Sequence, residues 1–404
     1  MKTDPEILKH LMEQGSLLPK EEMLEITPKK GKLFIGIPKE SFFQERRVAL
    51  VPEAVSILVL HGHRVRIESK SGEMANFSDR DYSEAGAEIC HDPKDIFSCD
   101  IIFKVGPPTE DEIDLMSGNQ TLVSALQIST QPKVILQKLM QKKITAIAWD
   151  YIRDHKGVFS IVRAMSEIAG TTSVLIAGEL LSNYSSGKGI MLGGITGVRP
   201  TEVVVIGAGT VGDFAVQAAL GLGASVKIFD NSMSRLRRLQ NNSNSRLYTS
   251  VIQPKSLAKA IQNADVVIGA LRAPLGRTPC VVSEEMIESM QTGSVLIDVS
   301  IDQGGCFETS KVTNHNEPIF IKHGVIHYCV PNIASRVSRT ASLVLSNIFS
   351  PILLEMGERG GCKELIKGDE GFRNGVYIYK GALTSEVLGK VFNLKYKNIE
   401  LLLI

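Results

Sequence analysis

Three glycines have the spacing of a dinucleotide-binding turn. The segment VVVIGAGTVG places Gly207, Gly209 and Gly212 after an apolar strand and before a helix rich in alanine. In such a turn the first glycine allows a tight bend, and the second lets backbone N–H groups approach a pyrophosphate. The third lets the helix pack closely on the strand. Because the positive end of the helix dipole faces the phosphates, this segment predicts a Rossmann domain with a bound dinucleotide.

An acidic residue stands where a dinucleotide's adenosine ribose is expected. The next strand, residues 226–229, ends at Asp230, at the spacing of about 20 residues where a carboxylate binds the ribose hydroxyls. A carboxylate there repels a 2′-phosphate, so we expect NAD rather than NADP. Arg235 follows shortly after, with two further arginines, and a basic cluster weakens that preference.

Two later segments also follow predicted strands. Gly269-Ala270-Leu271 ends one strand, and residues 298–302 follow the next. Ligands of a doubly wound sheet lie beyond the carboxyl ends of the strands, so both segments are expected beside the nicotinamide. Asp302 adjoins the flexible Gln303-Gly304-Gly305, which favours a functional position. Asp298 is equally well explained as a brace for its loop.

Strands and helices alternate along the chain from Lys32 onward, which predicts a mostly parallel sheet covered by helices. A short amphipathic helix with Ile7, Leu8, Leu11 and Met12 on one face precedes them. A second series of strands and helices begins at Thr201, and the late helix 342–356 is expected to return to the first domain. We therefore predict three parts: an extension over 1–31, a discontinuous substrate domain over 32–160 plus 340–404, and a nucleotide-binding domain over 161–339.

Composition narrows the class of protein. The formal net charge of 404 residues is +1, which argues against nucleic acid or an anionic membrane as the main partner. No apolar run has the length of about 18 residues that predicts a membrane-spanning helix. The six cysteines form no CxxC pair and no cluster with histidine, so we expect free thiols, no metal site and a cytoplasmic location.

Four ordered segments resemble the alanine dehydrogenase and transhydrogenase alpha-subunit family. They are IGIPKESFFQERRVALVPEAV, MSEIAG, MLGGITGVRPTEVVVIGAGTVG and VLIDVSIDQGGCFETS. The likeness extends over roughly residues 32–390, and the last segment is closer to alanine dehydrogenase. The resemblance implies an α/β fold of two Rossmann-like domains, with mostly parallel doubly wound sheets and a cleft between them. It also implies a homo-oligomer, hexamer or dimer, that converts L-alanine, NAD and water to pyruvate, ammonia and NADH.

The resemblance also implies roles for individual residues. Arg47 matches the arginine that binds the substrate carboxylate, which suits bidentate guanidinium geometry. Asp302 matches the aspartate near the amino group and the attacking water, and Ser166 matches a serine that contacts the cofactor. The expected dinucleotide contacts are Gly207, Gly209, Thr210, Val211, Gly212, Asp230, Arg235, Ser166, Gly269, Ala270, Leu271 and Asn332.

Two positions depart from the family pattern. Gly106 stands where the family has a lysine that holds the substrate carbonyl, and Gln127 stands where it has a histidine that transfers protons. General acid–base catalysis contributes about 10²- to 10⁴-fold, and glutamine cannot titrate to supply it. The candidate substitutes are Lys104, two residues before Gly106 on the same strand face, then His327, and Gln127 itself as a substrate-binding amide.

Three functions therefore remain open. The first is an NAD-dependent alanine dehydrogenase, which the overall likeness favours. The second is a dinucleotide-binding protein without amino-acid turnover, either regulatory or like a transhydrogenase subunit, which Gly106 and Gln127 favour. The third is a related dehydrogenase for a bulkier substrate, because Gly106 would enlarge the cleft.

Overall fold

The chain folds around two sheets. The computed structural model describes residues 31–41, 44–126, 132–183, 186–243, 245–273 and 277–403. The predicted helix near Ile7 and the candidate Gln127 lie outside the described residues. The first sheet has eight strands and the second has seven.

The first sheet has the strand order of a Rossmann fold. Its strands are β1 (Phe34–Ile37), β2 (Arg64–Glu68), β3 (Glu88–Cys90), β4 (Ile101–Phe103), β5 (Thr121–Ser124), β6 (Thr145–Ala148), β14 (Val376–Tyr379) and β15 (Ala382–Leu383). Strands β3-β2-β1-β4-β5-β6 lie side by side and all pair in parallel. This is the 3-2-1-4-5-6 order of a doubly wound sheet. β14 and β15 extend the β6 edge as antiparallel strands.

The second sheet repeats this order. Its strands are β7 (Glu202–Ile206), β8 (Ser225–Phe229), β9 (Tyr248–Ser250), β10 (Val266–Gly269), β11 (Val295–Asp298), β12 (Ile319–Lys322) and β13 (Val325–Tyr328). The parallel strands run β9-β8-β7-β10-β11-β13, with β12 antiparallel at the edge. The predicted fold, two Rossmann-like domains with mostly parallel sheets, is confirmed.

Helices cover the sheets. The α-helices of the described residues are α1 (Pro52–Leu60), α2 (Asp79–Glu84), α3 (Pro93–Phe97), α4 (Glu110–Leu115), α5 (Lys133–Gln141), α6 (Ser160–Leu181), α7 (Thr210–Gly221), α8 (Met233–Asn242), α9 (Pro254–Gln262), α10 (Glu284–Glu288), α11 (Ser338–Glu358), α12 (Cys362–Gly368), α13 (Glu370–Arg373) and α14 (Glu386–Phe392). Single-turn 3₁₀ helices lie at Glu73–Ala75, Trp149–Tyr151, Val299–Gln303, Ile333–Val337 and Ile399–Leu402.

Both faces of the central strands are buried, which explains their continuous apolar sequences. On β7, Val203 and Val205 belong to one apolar cluster, whereas Val204 and Ile206 belong to the cluster on the opposite face. In a parallel sheet that is buried on both faces, the loops lie at the two ends of the strands. The glycine turn lies at the carboxyl end of β7.

The chain returns to the first domain after completing the second sheet. Helix α11 packs Leu345, Phe349 and Leu353 into the core of the first sheet, and β14 then pairs with β6. This pairing supports our proposal that the substrate domain is discontinuous, with limits 32–160 plus 340–404 around the nucleotide-binding domain 161–339. The antiparallel pair β14–β15 was missing from the sequence prediction.

One described helical stretch, Ile333–Glu358, is long and apolar enough to cross a membrane by length and composition. Its apolar side chains have another partner, because Leu345, Phe349 and Leu353 are each at most 1% exposed within the protein core. Its hydropathy is therefore accounted for by packing on the first sheet.

Phe349 is a sensitive probe of the packing of helix α11 on the first sheet. Its ring is edge-on to Phe103 at 4.8 Å and to Trp149 at 6.4 Å between centroids. We predict that Phe349→Ala lowers the free energy of unfolding by about 3–5 kcal/mol, because it leaves a cavity between helix and sheet. Urea unfolding of the full chain measures this loss. Leu343→Ala, at an exposed position of the same helix, should change it by at most about 0.5 kcal/mol, and equal effects would contradict the packing.

Candidate active site

The glycine turn connects β7 to α7 where the central strand leaves the sheet. Gly207 has a φ of +113°, and a Cβ there would collide with the carbonyl oxygen of Ala270. A Cβ on Gly212 would collide with the carbonyl oxygen of Gly207. The first and third glycines are therefore required by the packing of the protein itself.

Gly209 is different, because packing within the protein does not require a glycine at this position. Its φ is −73°, and a Cβ there would meet no atom within 4 Å. Gly209 is the N-cap of α7, so no side chain caps this helix end, and the half-buried Thr210 and Val211 form its first turn. The open space in front of a helix N-terminus suits a pyrophosphate, so the turn fits the predicted cofactor.

The acid at the end of β8 is tied to the glycine turn. Asp230 is 4% exposed, and its Oδ2 accepts a hydrogen bond from the backbone N–H of Ala208 at 2.7 Å. Its Oδ1 accepts another from the N–H of Ser232 at 2.6 Å. Arg235 lies 3.7 Å away. A carboxylate has about four acceptor positions, so Asp230 holds the turn in place and retains capacity for ribose hydroxyls; that contact stays a prediction.

The loops after β10 and β11 are joined at the same sheet edge. Leu271 donates its backbone N–H to Ser300 Oγ at 3.0 Å. A Cβ on Gly269 would lie 2.5 Å from Cys306 Sγ, so this glycine is required by packing between the two loops. The remaining expected cofactor residue, Ser166 on α6, donates its hydroxyl to the carbonyl of Val162 at 2.7 Å.

Asp298 braces the loop that carries Asp302. Its carboxylate accepts from the backbone N–H groups of Ser300 at 3.0 Å and Cys306 at 3.1 Å. The hydroxyl of Ser310 donates to it at 2.5 Å. Burial raises the pKa of Asp298 to about 6. These contacts agree with the structural interpretation of Asp298 considered from the sequence.

A chain of hydrogen bonds joins the two domains through a residue that sequence reasoning missed. Glu45 is buried, and its Oε2 accepts from Arg47 Nη2 at 2.6 Å and from Asn332 Nδ2 at 2.7 Å. The backbone N–H of Asn332 donates to Asp302 Oδ1 at 3.0 Å. Arg47, Asn332 and Asp302, three of the predicted site residues, are thus brought together by Glu45.

Two carboxyl groups of this hydrogen-bonded series, Glu45 and Asp302, have pKa values shifted in opposite directions. Burial alone would raise the pKa of Glu45, but the ion pair and hydrogen bonds with Arg47 outweigh it and hold that pKa below its usual value. Asp302 is exposed at the surface, and desolvation by the surrounding protein raises the pKa of its carboxyl.

Lys104 lies in a buried ion pair. Its ammonium is fully buried and contacts both carboxylate oxygens of Glu112, at 2.7 and 2.8 Å, with Glu40 at 3.8 Å. Glu40 in turn accepts the backbone N–H of Gly106 at 3.1 Å, and desolvation raises the pKa of Glu40 to about 7. In this arrangement the Lys104 ammonium is held by Glu112 and lies near Glu40, which binds the backbone of Gly106. The ammonium is therefore not free to contact a ligand.

The suggestion that His327 replaces the missing base is wrong. The side chain is fully buried in β13, and its Nδ1 is 2.9 Å from the carbonyl of Val325. Its Nε2 is 2.8 Å from Thr309 Oγ1, and its ring stacks on Phe320. Both ring nitrogens are therefore engaged inside the protein. This is the packed histidine at a strand end that the sequence could not distinguish from a base.

Comparisons with known proteins decide the family. The family model for the N-terminal domain of alanine dehydrogenase/PNT matches residues 36–169, and the model for the C-terminal domain matches residues 173–386. The chain belongs to the alanine dehydrogenase/PNT family. The predicted family is thereby confirmed.

Individual members of the alanine dehydrogenase/PNT family agree in length and fold. Alanine dehydrogenase 2 of Staphylococcus aureus (strain USA300) is 37% identical over 367 residues, 91% of this chain and 98% of that protein. A solved L-alanine dehydrogenase has a TM-score of 0.84 at 37% identity and covers 89% of this chain and 99% of its own. The transhydrogenase from Sinorhizobium meliloti, with a TM-score of 0.75 at 24% identity over 87% of this chain and 99% of its own, shares the fold.

The open space at Gly209 leads to a test of the cofactor site. We predict that Gly209→Leu abolishes NADH binding while leaving the fold intact, because a Cβ at this position meets no protein atom within 4 Å and the rest of the side chain would fill the space expected for the pyrophosphate. NADH fluorescence titration measures the binding. Gly221→Leu is the matched control, since Gly221 ends the same helix and also faces open space. Unchanged NADH affinity of Gly209→Leu would remove the turn from the cofactor site.

Proposed function

We propose that this protein is an NAD-dependent amino-acid dehydrogenase that acts on L-alanine. Family membership over both domains supports the class of reaction. The observation that carries the proposal is the chain Arg47–Glu45–Asn332–Asp302, which joins a cation of one domain to a carboxylate of the other beside the nucleotide-binding edge. A carboxylate-binding cation and an acceptor for an amino group are what an amino acid requires.

The proposed reaction is reversible and balanced. L-alanine, NAD and water give pyruvate, ammonium, NADH and a proton. The Cα–H bond breaks with its electron pair, and the resulting imine is hydrolysed by water, so that the C–N bond is replaced by C=O. NAD, when bound, accepts the hydride.

Arg47 is proposed to bind the substrate carboxylate. Its Nε and Nη2 donate to Glu45 at 2.7 and 2.6 Å, and its Nη1 contacts Met165 Sδ at 3.3 Å. Since a guanidinium has five N–H donors, one on Nη1 and one on Nη2 remain for a ligand. Glu45 therefore fixes the orientation of the guanidinium without using all its donors.

Asp302 is proposed to accept the proton of the attacking water. Desolvation raises its pKa, which brings a carboxylate closer to the range where a general base is effective. Gln127 cannot titrate, so its expected contribution is a hydrogen bond to the substrate. Lys104 is proposed to stabilise Glu112 and Glu40 and, through Glu40, the backbone at Gly106.

We propose NAD rather than NADP as the cofactor, because Asp230 occupies the place where a 2′-phosphate would lie. We also propose a cytoplasmic homo-oligomer, either hexamer or dimer. Exposed apolar side chains support self-association, since Leu175, Met191 and Leu222 line one groove and apolar patches of this kind mark interfaces. The partners are then small molecules, with no nucleic acid or membrane.

Two other functions remain candidates on specific observations. Gly106 and Gln127 favour a dinucleotide-binding protein without turnover, because neither supplies the charge or the proton transfer expected of the family. Gly106 alone favours a related dehydrogenase with a larger substrate, since it removes a side chain from the wall of the cleft.

NADH consumption by the purified protein tests the proposal. We expect turnover with pyruvate and ammonium, followed at 340 nm (the NADH absorbance), and a panel of 2-oxo acids defines the substrate. Turnover with another oxo acid alone would replace L-alanine as the substrate. NADH binding with no turnover on any of them would overturn the dehydrogenase and support the non-catalytic function.

Arg47→Ala tests the carboxylate contact. We expect the KM for pyruvate to rise by about 10- to 100-fold, because charge-assisted hydrogen bonds are lost. Steady-state kinetics measure this rise, and NADH affinity serves as the check that the cofactor domain is unaffected. Arg47→Lys keeps a positive charge beside Glu45 but lacks the planar fork of donors. Its KM should therefore lie between those of the unaltered protein and Arg47→Ala. An unchanged KM in Arg47→Ala would exclude Arg47 from the site.

A further inference from the structure

A second arginine, Arg272, lies beside Asp302 on the nucleotide-binding side. It follows β10, and its neighbours in the chain are anchored to the loop of Asp302. Leu271 donates to Ser300 Oγ at 3.0 Å, and Ala273 donates to Gln303 Oε1 at 3.0 Å. Because these anchors bracket Asp302, the backbone at position 272 runs alongside the backbone at position 302.

The guanidinium of Arg272 is exposed and has no acidic partner among the residues that the structure describes. No carboxylate oxygen in those ranges lies within 4.0 Å of it. Its charge nevertheless acts on both domains. It opposes the effect of burial on the pKa of Asp302 in the second domain and on that of Tyr151 in the first, so the guanidinium lies near groups of both domains.

Two other cations of this region, Arg47 and Lys104, are balanced by carboxylates of the protein. Arg47 pairs with Glu45, and Lys104 pairs with Glu112. Asp302 is hydrogen-bonded to a neutral backbone N–H, so Asp302 and Arg272 are two opposite charges that form no ion pair within 4.0 Å among the described residues. An amino acid is a zwitterion that presents one ammonium and one carboxylate, and these two groups are its electrostatic complement.

We propose that Arg272 binds the α-carboxylate of the amino-acid substrate and of the oxo acid formed from it. The assignment rests on the proposed function, because it names a specificity residue of that same site. The charge of Arg47 is already balanced by Glu45, so Arg47 contributes its remaining N–H donors. Arg272 contributes a positive charge that no described carboxylate balances. Asp302, on which both arginine charges act, then faces the substrate nitrogen.

Two features of the arrangement make Arg272 suitable for this role. Arginine stays protonated at any physiological pH, and its planar fork matches a carboxylate. Its position on the nucleotide-binding domain also places the charge on the opposite side of the junction from Arg47, so a carboxylate held by both would connect the two domains.

Binding of pyruvate to the complex of the full chain with NADH tests the proposal. Isothermal titration without ammonium avoids turnover, so the measurement does not depend on catalysis. We expect Arg272→Leu to weaken pyruvate binding by about 10- to 150-fold, the range for loss of a hydrogen bond to a charged group, with the Kd for NADH within about twofold of the unaltered protein. Arg272→Lys should retain part of the affinity. Arg199→Leu, which removes an exposed arginine near Asp265, is the control and should bind like the unaltered protein.

Distinct outcomes separate this inference from the proposed function. Unchanged pyruvate affinity in Arg272→Leu, or no pyruvate binding by the unaltered protein, overturns the inference. An equal loss of NADH affinity would assign Arg272 to the cofactor and overturns the inference as well. Oxaloacetate is titrated in the same way as a larger oxo acid; a loss of affinity confined to oxaloacetate would assign Arg272 to the second acidic group of a larger substrate and also overturns the inference. Loss of pyruvate affinity in Arg272→Leu, together with no turnover by the unaltered protein, would support the contact while the dehydrogenase proposal fails.

Discussion

The buried carboxylate of Glu45 is the interaction on which the site depends. It takes hydrogen bonds from Arg47 of its own segment and from Asn332 of the other domain, and Asn332 in turn holds Asp302. A buried carboxylate is costly unless its acceptors are satisfied, so the bond from Asn332 favours the arrangement of the two domains in which this donor reaches Glu45. The same contacts fix the orientation of Arg47, which leaves a defined set of N–H groups for a ligand. One desolvated acid thus sets both the relation between the domains and the geometry of the substrate cation.

The glycine turn shows how one motif serves packing and binding through different residues. Gly207 and Gly212 are required because larger residues would collide with backbone carbonyls, whereas Gly209 has open space around it. Asp230 secures the turn through Ala208, so the residue predicted to bind the ribose also positions the residues predicted to bind the phosphates. The predicted cofactor site is therefore held in position by hydrogen bonds within the protein itself.

Much of this fold could be predicted from the sequence, because the buried parallel strands are continuous apolar runs and each is followed by a helical pattern. The strand predicted over 226–229 is Ser225–Phe229 in the structure, and the helix predicted over 342–356 lies within Ser338–Glu358. The short antiparallel pair β14–β15 was missed, since four- and two-residue strands carry little periodic signal. The site was harder. Spacing identified Gly209 and Asp230, but pairing of charges is a property of three dimensions. The sequence offered Lys104 and His327 as substitutes for the missing groups and did not single out Glu45. Only burial and partners reveal that Glu45 links the domains, that Lys104 is held by Glu112 and that His327 is packed in a sheet.

The late return of the chain to the first sheet has a consequence for how the protein is made. The six parallel strands of the first sheet leave the ribosome early, but Phe349 and Leu353, which cover them, and β14, which closes their edge, are synthesised some two hundred residues later. The second sheet is contiguous in the chain, ends at Tyr328 and has no such delay. During synthesis the apolar surface of the first sheet therefore stays uncovered until the second domain has been made. That interval is when a chaperone is most needed.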